Sequence, residues 1–385
     1  MIRYLAFGVA LVCAACGGDD HSRPCATSAD CDQAGIPGTC RPSPESNEMW
    51  CSYPDTSCPA PPGQRWGALA GDGLKETCVA QEMVDGAMPD GAADGGPDAP
   101  GPDAVRVDAS EGEWTVAVSG TTVHLLAVWG ASSTDVWVAG AGGTIRRWDG
   151  FTWAPSAHGA GGAVTFFDLW GSAANSVFVA GSGGVALRWT GASWVTTTTG
   201  VTNPLHGVWG LTAIDFWAVG DDPGAGEVLR WNGTAWTQGA TSTWRDMWGA
   251  GASDAWLVGR GGYTGHWTGS TISTFNVTAQ NLRGVSGTGT GDIWAVGAGG
   301  TILHYNGTGW TPVMSGVTSQ LNAVHAVSAT NAWAVGETGL ILHWDGSSWT
   351  PSLSGTTDAL NAVWATATGE AWVAGNNGTL LRHVP

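Results

Sequence analysis

The feature that most constrains the fold of this chain is a motif that recurs at a nearly fixed interval after residue 112. Its clearest copy spans Leu321 to Trp349 and reads LNAVHAVSATNAWAVGETGLILHWDGSSW. Short apolar or alternating segments are separated by turns rich in small residues, which predicts four short strands. Nothing in the copy has a helical period. Asp345-Gly346 favours a two-residue hairpin with a type I′ turn before the fourth strand.

The same frame occurs seven times, and the aromatic residue of the second strand recurs at nearly equal steps. A period of roughly 40 residues with four strands per copy is typical of a β-propeller. The sequence therefore predicts an all-β, seven-bladed β-propeller over residues 113–385. The aromatic positions are Trp137, Phe178, Trp217, Trp256, Trp294, Trp333 and Trp372.

The two ends of the repeat region complement each other. The seventh copy stops shortly after His383 and lacks an outer strand, whereas Glu113-Trp114-Thr115 matches the outer strands of the other copies. Pairing this N-terminal strand with the last blade would close the ring and remove open sheet edges. We therefore expect the first strand to complete the seventh blade.

Residues 1–16 have the pattern of an export signal. Arg3 precedes an apolar run over residues 4–12, which is too short to span a membrane. The segment Ala14-Ala15-Cys16 resembles the end of a bacterial lipoprotein signal peptide, and the resemblance implies that Cys16 is lipidated. Cys13 offers a second cleavage frame, and an ordinary signal peptide without lipid is the alternative.

The residue after Cys16 bears on localisation. It is Gly17 rather than Asp. For a lipoprotein, the resemblance therefore implies anchoring in the outer membrane, facing the periplasm or the cell surface. We expect a monomer that is attached to the membrane by its lipid alone.

Residues 17–78 form a candidate cysteine-rich module. Six cysteines in an exported segment with few aliphatic residues predict three disulfides. Fifteen pairings are possible for six cysteines, and the sequence does not choose among them. The spacing contains no Cys-x-x-Cys pair, which disfavours a zinc site. The cysteines are Cys25, Cys31, Cys40, Cys51, Cys58 and Cys78.

Residues 79–112 are rich in Asp, Gly, Pro and Ala. Such a segment buries too little apolar surface to offset its chain entropy, so we expect an acidic disordered linker. Calcium binding by the Asp-Gly pairs is the alternative, but their spacing matches no calcium loop.

The charge of the chain excludes one class of partner. The net charge is −18, and Lys75 is the only lysine. A nucleic-acid surface needs many cations, so we expect no nucleic-acid partner. The propeller has no cysteine, and four of its eight histidines lie in the repeated third strand. We therefore expect neither a metal nor another cofactor.

Two polar positions repeat with the frame, and we interpret both as structural. A polar residue before the second strand can accept local backbone hydrogen bonds. A basic residue near the end of the third strand is expected to stack on Trp or to pair with those carboxylates. A ring that binds an anion is the alternative. The first set is Asp135, Ser176, Asp215, Asp254, Asp292, Asn331 and Glu370; the second is Arg147, Arg188, Arg230, His266, His304, His343 and Arg382.

Departures from the repeat are better candidates for binding. The position before the inner-strand core varies from copy to copy, and the third copy has an insertion over residues 221–227. We expect both to lie on one face. Trp244, which we place outside the frame, is expected to be exposed beside them. Mixed charge suits a protein or carbohydrate partner, and an idle solvated surface is the alternative. The candidate rim is His206, Asp221, Asp222, Trp244, Arg245, Arg260 and Arg283.

The consensus VWGxxxxDxWAVGxxGTILxWxGxxWT resembles repeats of exported and lipid-anchored propellers of myxobacteria. It also resembles tectonin-type propellers, through the Trp-Ala-Val and Gly-Thr strands, and this resemblance implies lectin-like carbohydrate binding. The Asp-box of sialidase-type propellers is absent. The propeller's tyrosines, Tyr263 and Tyr305, occupy structural positions of the repeat.

Two functions follow from these patterns. The first is a non-enzymatic binding or scaffold protein for a protein or glycan. The alternative is a glycan-cleaving enzyme, which needs two carboxyl groups about 5–9.5 Å apart. Asp168 and Asp246, both on inner strands, are the only pair to consider. No G-x-S-x-G, P-loop or H-E-x-x-H motif occurs, so we expect binding and no enzymatic activity.

Overall fold

A computed structural model of the protein describes residues 39–42, 49–55, 63–66, 78–79, 114–221, 226–239 and 243–385. The chain divides between Ala99 and Pro100 into two units. Among the described residues, no helix is long and apolar enough to cross a membrane.

The first unit contains one four-stranded antiparallel sheet in chain order. Its backbone register places Cys40 opposite Cys51. The other predicted features of this region, Cys16, Cys25, Cys31, Cys58 and most of the linker, lie outside the described residues. The strands are β1 (Thr39–Pro42), β2 (Met49–Asp55), β3 (Gly63–Trp66) and β4 (Cys78–Val79).

The second unit confirms the predicted seven-bladed propeller, because seven four-stranded antiparallel sheets follow one another along the chain. The first strand, β5 (Trp114–Val116), precedes them. Blades one to three are β6 (Leu125–Ser132), β7 (Asp135–Gly140), β8 (Thr144–Trp148), β9 (Trp153–Pro155); β10 (Phe166–Ala173), β11 (Ser176–Gly181), β12 (Ala186–Trp189), β13 (Trp194–Thr197); and β14 (Gly207–Thr212), β15 (Asp215–Gly220), β16 (Glu227–Trp231), β17 (Trp236–Gln238).

The remaining blades have the same order. In blade seven, β5 pairs with β32, and Trp114 lies opposite His383. The strands are β18 (Trp244–Gly251), β19 (Asp254–Gly259), β20 (Tyr263–Trp267), β21 (Ile272–Asn276); β22 (Leu282–Gly289), β23 (Asp292–Gly297), β24 (Ile302–Tyr305), β25 (Trp310–Val313); β26 (Leu321–Ser328), β27 (Asn331–Gly336), β28 (Ile341–Trp344), β29 (Trp349–Ser352); and β30 (Leu360–Ala365), β31 (Ala371–Gly375), β32 (Leu380–His383).

Aromatic side chains fill the junctions between blades. The second-strand Trp137 contacts two rings of the next blade, Trp189 at 5.2 Å and Trp194 at 5.4 Å between centroids. The indole of Trp194 stands nearly perpendicular to it, at 87°. Edge-to-face pairs of this kind add to the free energy of burial. The Trp residues at this junction therefore pack neighbouring blades together.

A second set of Trp residues packs across the inner strands. A Cβ added to Gly171 would lie 2.4 Å from the indole of Trp129 in the preceding blade. Alanine therefore occurs only where the preceding blade has a smaller side chain. The steric pairs along the ring are Trp129–Gly171, Trp209–Gly249, Trp248–Gly287 and Trp364–Gly130. Trp170 instead donates a hydrogen bond to the carbonyl of Gly210 at 2.9 Å. The pairs with alanine are Ser286–Ala326 and His325–Ala365.

The repeated polar positions pair with each other. Arg147 forms a bidentate ion pair with Asp135 at 2.7 and 3.0 Å and lies 4.8 Å from the ring centre of Trp137. In blade five, Nε2 of His304 lies 2.7 Å from Asp292. The predicted pairing is confirmed. The expectation that these carboxylates accept local backbone hydrogen bonds is wrong, because basic side chains occupy them instead.

The last hairpin of each blade differs from the prediction. The connection after Trp344 has four residues, and only its glycine, Gly346, has a positive φ, at 96°. The carboxylate of Asp345 accepts hydrogen bonds from the backbone N–H groups of Ser347 and Ser348, at 2.7 and 2.9 Å. The turn is therefore not type I′, since the Asp side chain stabilises a longer loop.

Candidate functional site

The position that varies before each inner-strand core lines one cavity of about 180 Å³. All seven blades contribute to its wall, so it lies at the mouth of the central channel, and we call it the channel mouth. Its apolar side is formed by Leu126 and Phe167, and blades three to five place charged groups opposite. The variable residues are Leu126, Phe167, His206, Arg245, Arg283, Asn322 and Asn361.

Asp221, at the start of the insertion in blade three, is the centre of the charged groups. Its side chain is only 4% exposed. Nε of Arg260 donates to Oδ2 at 3.1 Å, and Nη1 of Arg245 lies 3.6 Å from Oδ1. Nε2 of His206 lies 3.0 Å from Oδ1. The contact is not aligned as a hydrogen bond, because Oδ1 accepts none from the described residues.

These neighbours determine the ionisation of Asp221. Burial raises the pKa of Asp221, but His206 and the charges of Arg245 and Arg260 outweigh it and lower the pKa to about 2. Nη1 of Arg245 also lies 3.0 Å from Nδ1 of His206. Because Arg can only donate, Nδ1 accepts and the proton is on Nε2. His206 thus lies between the guanidinium of Arg245 and the carboxylate of Asp221.

Arg283 lines the same cavity but has a different environment. It is half-buried, and its guanidinium makes no hydrogen bond or ion pair with any described residue. Burial and the nearby charge of Arg245 lower the pKa of Arg283. The structure therefore brings His206, Asp221, Arg245, Arg260 and Arg283 of the candidate rim together.

Two members of the candidate rim do not join this group. Asp222 lies outside the described residues. Trp244 is 2% exposed, so the expectation of an exposed indole is wrong. It begins an inner strand where other blades have Leu or Phe, and a Cβ on Gly265 would lie 2.9 Å from its ring. Gly265 replaces the Leu that most other third strands have at this position and so leaves room for Trp244.

The inner-strand carboxylates Asp168 and Asp246 lie deeper in the channel. Asp168 accepts the backbone N–H of Leu169 and that of Val208 in the next blade, both at 2.8 Å. Asp246 repeats this pattern with its own neighbour and with Val285, at 2.8 and 2.9 Å. Each carboxylate thus connects two inner strands.

The surroundings shift the pKa of both carboxyl groups upward. Burial, followed by the charge of Asp246, raises the pKa of Asp168 well above its ordinary value. Burial raises the pKa of Asp246 from 3.8 to about 6. The pKa of His325, on the inner strand of blade six, shifts downward instead, because burial lowers it from 6.5 to about 4.

We predict that Asp246→Asn changes the dependence of stability on pH. A raised carboxyl pKa favours folding when the group is protonated, so this contribution decreases as pH rises from 3.8 through about 6. His325 acts oppositely, because its contribution is lost as pH falls from 6.5 to about 4. One pKa unit corresponds to about 1.4 kcal/mol, so removing the Asp246 titration should reduce the change in unfolding free energy between pH 3.8 and about 6 by about 3 kcal/mol. Chemical denaturation at several pH values between acidic and neutral measures the free energy of unfolding of both proteins. Parallel plots of this free energy against pH for wild type and Asp246→Asn would contradict the prediction.

One further site was missed in the sequence. At six of the seven junctions an outer-strand Trp stands edge-on to the second-strand aromatic, but blade four has Ile272 there. A groove of about 490 Å³ lies at this junction, with Trp217 and Trp267 on its floor and Arg230 and Thr237 beside them. Comparing the outer-strand positions of the seven copies would have revealed the exception.

Comparisons with known proteins agree on the fold. No protein-family model and no curated protein matches the sequence. A solved structure of Ycf48 bound to a D1 peptide is 18% identical, with a TM-score of 0.60, and covers 73% of this chain and 100% of its own. Ycf48 from Cyanidioschyzon merolae is 18% identical, with a TM-score of 0.58, over 71% of this chain and 99% of its own.

A third similar structure is the WD40 propeller domain of Doa1, which is 12% identical with a TM-score of 0.60. The match covers 70% of this chain and 97% of that domain. At these identities the similarity shows the fold alone. The chain is therefore a seven-bladed β-propeller.

Proposed function

We propose that the protein is a non-enzymatic binding propeller whose channel mouth holds a protein partner. The observation that carries this proposal is the contrast between the repeat and its exceptions. Cations of the repeated third-strand position mostly pair within the blade, as Arg147 does with Asp135. Those of the channel mouth vary from blade to blade, and the half-buried Arg283 makes no hydrogen bond or ion pair with any described residue.

The similar fold of Ycf48, solved with a bound D1 peptide, supports a protein as the class of partner. Propeller scaffolds present loops of several blades on one face, and the channel mouth lies on such a face. Protein interfaces combine apolar and polar surface, and the channel mouth has both, with Leu126 and Phe167 on one side and charged groups opposite.

The alternative of a glycan-cleaving enzyme is less well supported. It would use Asp168 and Asp246, but both oxygens of each carboxylate already accept backbone N–H groups. A general acid or nucleophile needs a free oxygen directed at the substrate. We therefore propose a structural role for this pair and no catalytic one.

Crosslinking at the cell envelope tests the proposal. The full chain, with a photoreactive residue at Asn322 in the channel mouth, should capture a partner, and an Arg245→Ala, Arg283→Ala variant should reduce capture at least about tenfold. Arg146→Ala, Arg188→Ala is the charge-matched control, because it removes two cations from third strands. Equal capture by both double variants would contradict the proposal.

Carbohydrate is the second candidate ligand, and the groove beside Ile272 favours it. Indole rings with polar groups at their margin can pack against the apolar face of a sugar, and Trp267 lines this groove together with Thr237 and Gln238. This site is distinct from the channel mouth, so the two candidates are separable.

We predict that Ile272→Trp restores the junction found between the other blades. The new indole should pack edge-on against Trp217 and raise the free energy of unfolding by about 1 kcal/mol. It should also eliminate any binding to a glycan array, because it fills the groove. Denaturation and the array measure these effects. Glycan binding that survives in the variant would exclude this groove as the carbohydrate site.

For the N-terminal region we propose export and lipidation at Cys16, with anchoring in the outer membrane. The backbone register that opposes Cys40 and Cys51 supports one disulfide between them. Labelling with a fatty acid should be lost in Cys16→Ala, and peptide mapping without reduction should recover the Cys40–Cys51 pair. Label that persists in Cys16→Ala would contradict lipidation at Cys16. A different cysteine pairing would contradict the Cys40–Cys51 disulfide.

A further inference from the structure

We infer that the channel mouth binds a small anionic group, a carboxylate or a phosphate, through the guanidinium groups of Arg283 and Arg245. This inference rests on the proposed function, because it names the chemistry that the same mouth recognises. It is independent of whether the anion belongs to a free molecule or to a larger partner.

The first argument is the environment of Arg283. A guanidinium has five N–H donors, and a half-buried one normally finds acceptors. Arg283 has none among the described residues, although it is within the field of Glu337 and Asp221. Its pKa is lowered first by burial and then by the charge of Arg245. A bound anion would supply the missing acceptors and relieve the repulsion between the two cations.

The second argument is that the acidic groups near the channel mouth interact with residues other than Arg283. Asp221 is surrounded by His206, Arg245 and Arg260. Glu337 accepts a hydrogen bond from Gln320 at 3.1 Å. The deeper Asp168 and Asp246 accept backbone N–H groups with both oxygens. No described carboxylate contacts Arg283, so its donors are available to a ligand.

The third argument is the size and polarity of the cavity. Its volume is about 180 Å³, which leaves room for several water molecules. That space accepts a carboxylate or a phosphate with some of its water, but not a whole peptide segment. The apolar wall of Leu126 and Phe167 lowers the local dielectric constant, which strengthens attraction between the arginines and an anion.

Thermal unfolding of the full chain tests this inference with two probes, inorganic phosphate and acetate, each against chloride at matched ionic strength. A millimolar site at about 20 mM probe should raise the unfolding midpoint by about 3 °C. Arg283→Gln should lose this increase. Arg283→Lys should retain part of it, because lysine keeps the charge without the planar fork.

Arg188→Gln is the matched control, since it removes one cation from a third strand whose partner position is Ser176 rather than a carboxylate. Phosphate also stabilises proteins generally, so the deciding quantity is the difference between wild type and variant. A response to acetate alone identifies a carboxylate site, and a response to phosphate alone identifies a phosphate site.

Equal increases in wild type and Arg283→Gln, or no increase with either probe, would overturn the inference. The crosslinking experiment separates this outcome from failure of the proposed function. If capture still depends on Arg245 and Arg283 while neither anion binds, the mouth is a protein site but not an anion site. If an anion binds and capture is unaffected, the protein-partner proposal fails and the anion site remains.

Discussion

Replacing Gly171 with alanine should lower the free energy of unfolding by about 2 kcal/mol. The new Cβ would lie 2.4 Å from Cη2 of the Trp129 indole, well inside van der Waals contact. Both residues lie on inner strands that pair with their own blades, so neither backbone can withdraw freely. Chemical denaturation monitored by Trp fluorescence measures the change. Gly251→Ala is the control, because no other group lies within 4 Å of its added Cβ.

Other blades of the propeller show which substitution at position 129 would make room for an alanine at position 171. Where blade seven has Ala365, the preceding blade has His325 instead of Trp, and where blade six has Ala326, the preceding blade has Ser286. Trp129→His should therefore recover at least about 1 kcal/mol in the Gly171→Ala background, relative to the sum of the single variants. Additive effects in this double-mutant cycle would show that the contact between Trp129 and Gly171 does not determine the residue choice.

The contact between Trp129 and Gly171 also illustrates which features can be predicted from the sequence and which cannot. The regular period predicts the fold, because a four-stranded repeat of that length has few ways to bury its apolar residues. The dependence of Gly171 on Trp129 links two neighbouring blades that are a whole repeat apart in the chain. It becomes apparent only when the register between neighbouring inner strands is known, although both residues are visible in the sequence.

Local side-chain interactions explain why two sequence-based predictions, the type I′ turn and the exposed Trp244, are wrong. The Asp345-Gly346 pair predicts a type I′ turn if backbone preferences act alone, but the Asp345 carboxylate accepts the N–H groups of Ser347 and Ser348 and favours a four-residue loop. Trp244 was expected to be exposed because it was placed outside the repeat frame, but it is the first residue of an inner strand. The compensating change, Gly265, lies on a different strand of the same blade, so only the folded blade shows that the indole has space.

The candidate site was located by a different kind of reasoning. The position before the inner-strand core varies while its neighbours repeat, and it lines the channel mouth in all seven blades. The sequence could not show that Arg260 and Arg245 converge on Asp221 while Arg283 finds no partner among the described residues. That distinction depends on the directions of side chains from three blades, which periodicity does not encode.

Trp114→Ala should open the propeller at the junction where the chain closes on itself. The strand β5 has three residues, so its attachment depends mainly on this indole, which is 9% exposed. It packs at 90° and 5.3 Å against Trp333, and Nε1 donates to Oγ of Ser352 at 3.1 Å. Loss of a buried Trp costs about 4 kcal/mol. Residues 114–118 should then lose protection against hydrogen exchange and proteolysis.

The equivalent substitution in blade two separates ring opening from loss of packing. Trp194 stands at 87° and 5.4 Å to Trp137 and donates to Ser156, so Trp194→Ala removes similar contacts. Its strand follows the third strand directly through a hairpin and remains tethered at both ends, whereas β5 adjoins β32 only in space. Only Trp114→Ala should therefore expose the edge of β32 and increase light scattering through edge-to-edge association. Equal exchange and scattering in the two variants would contradict a closure that depends on Trp114.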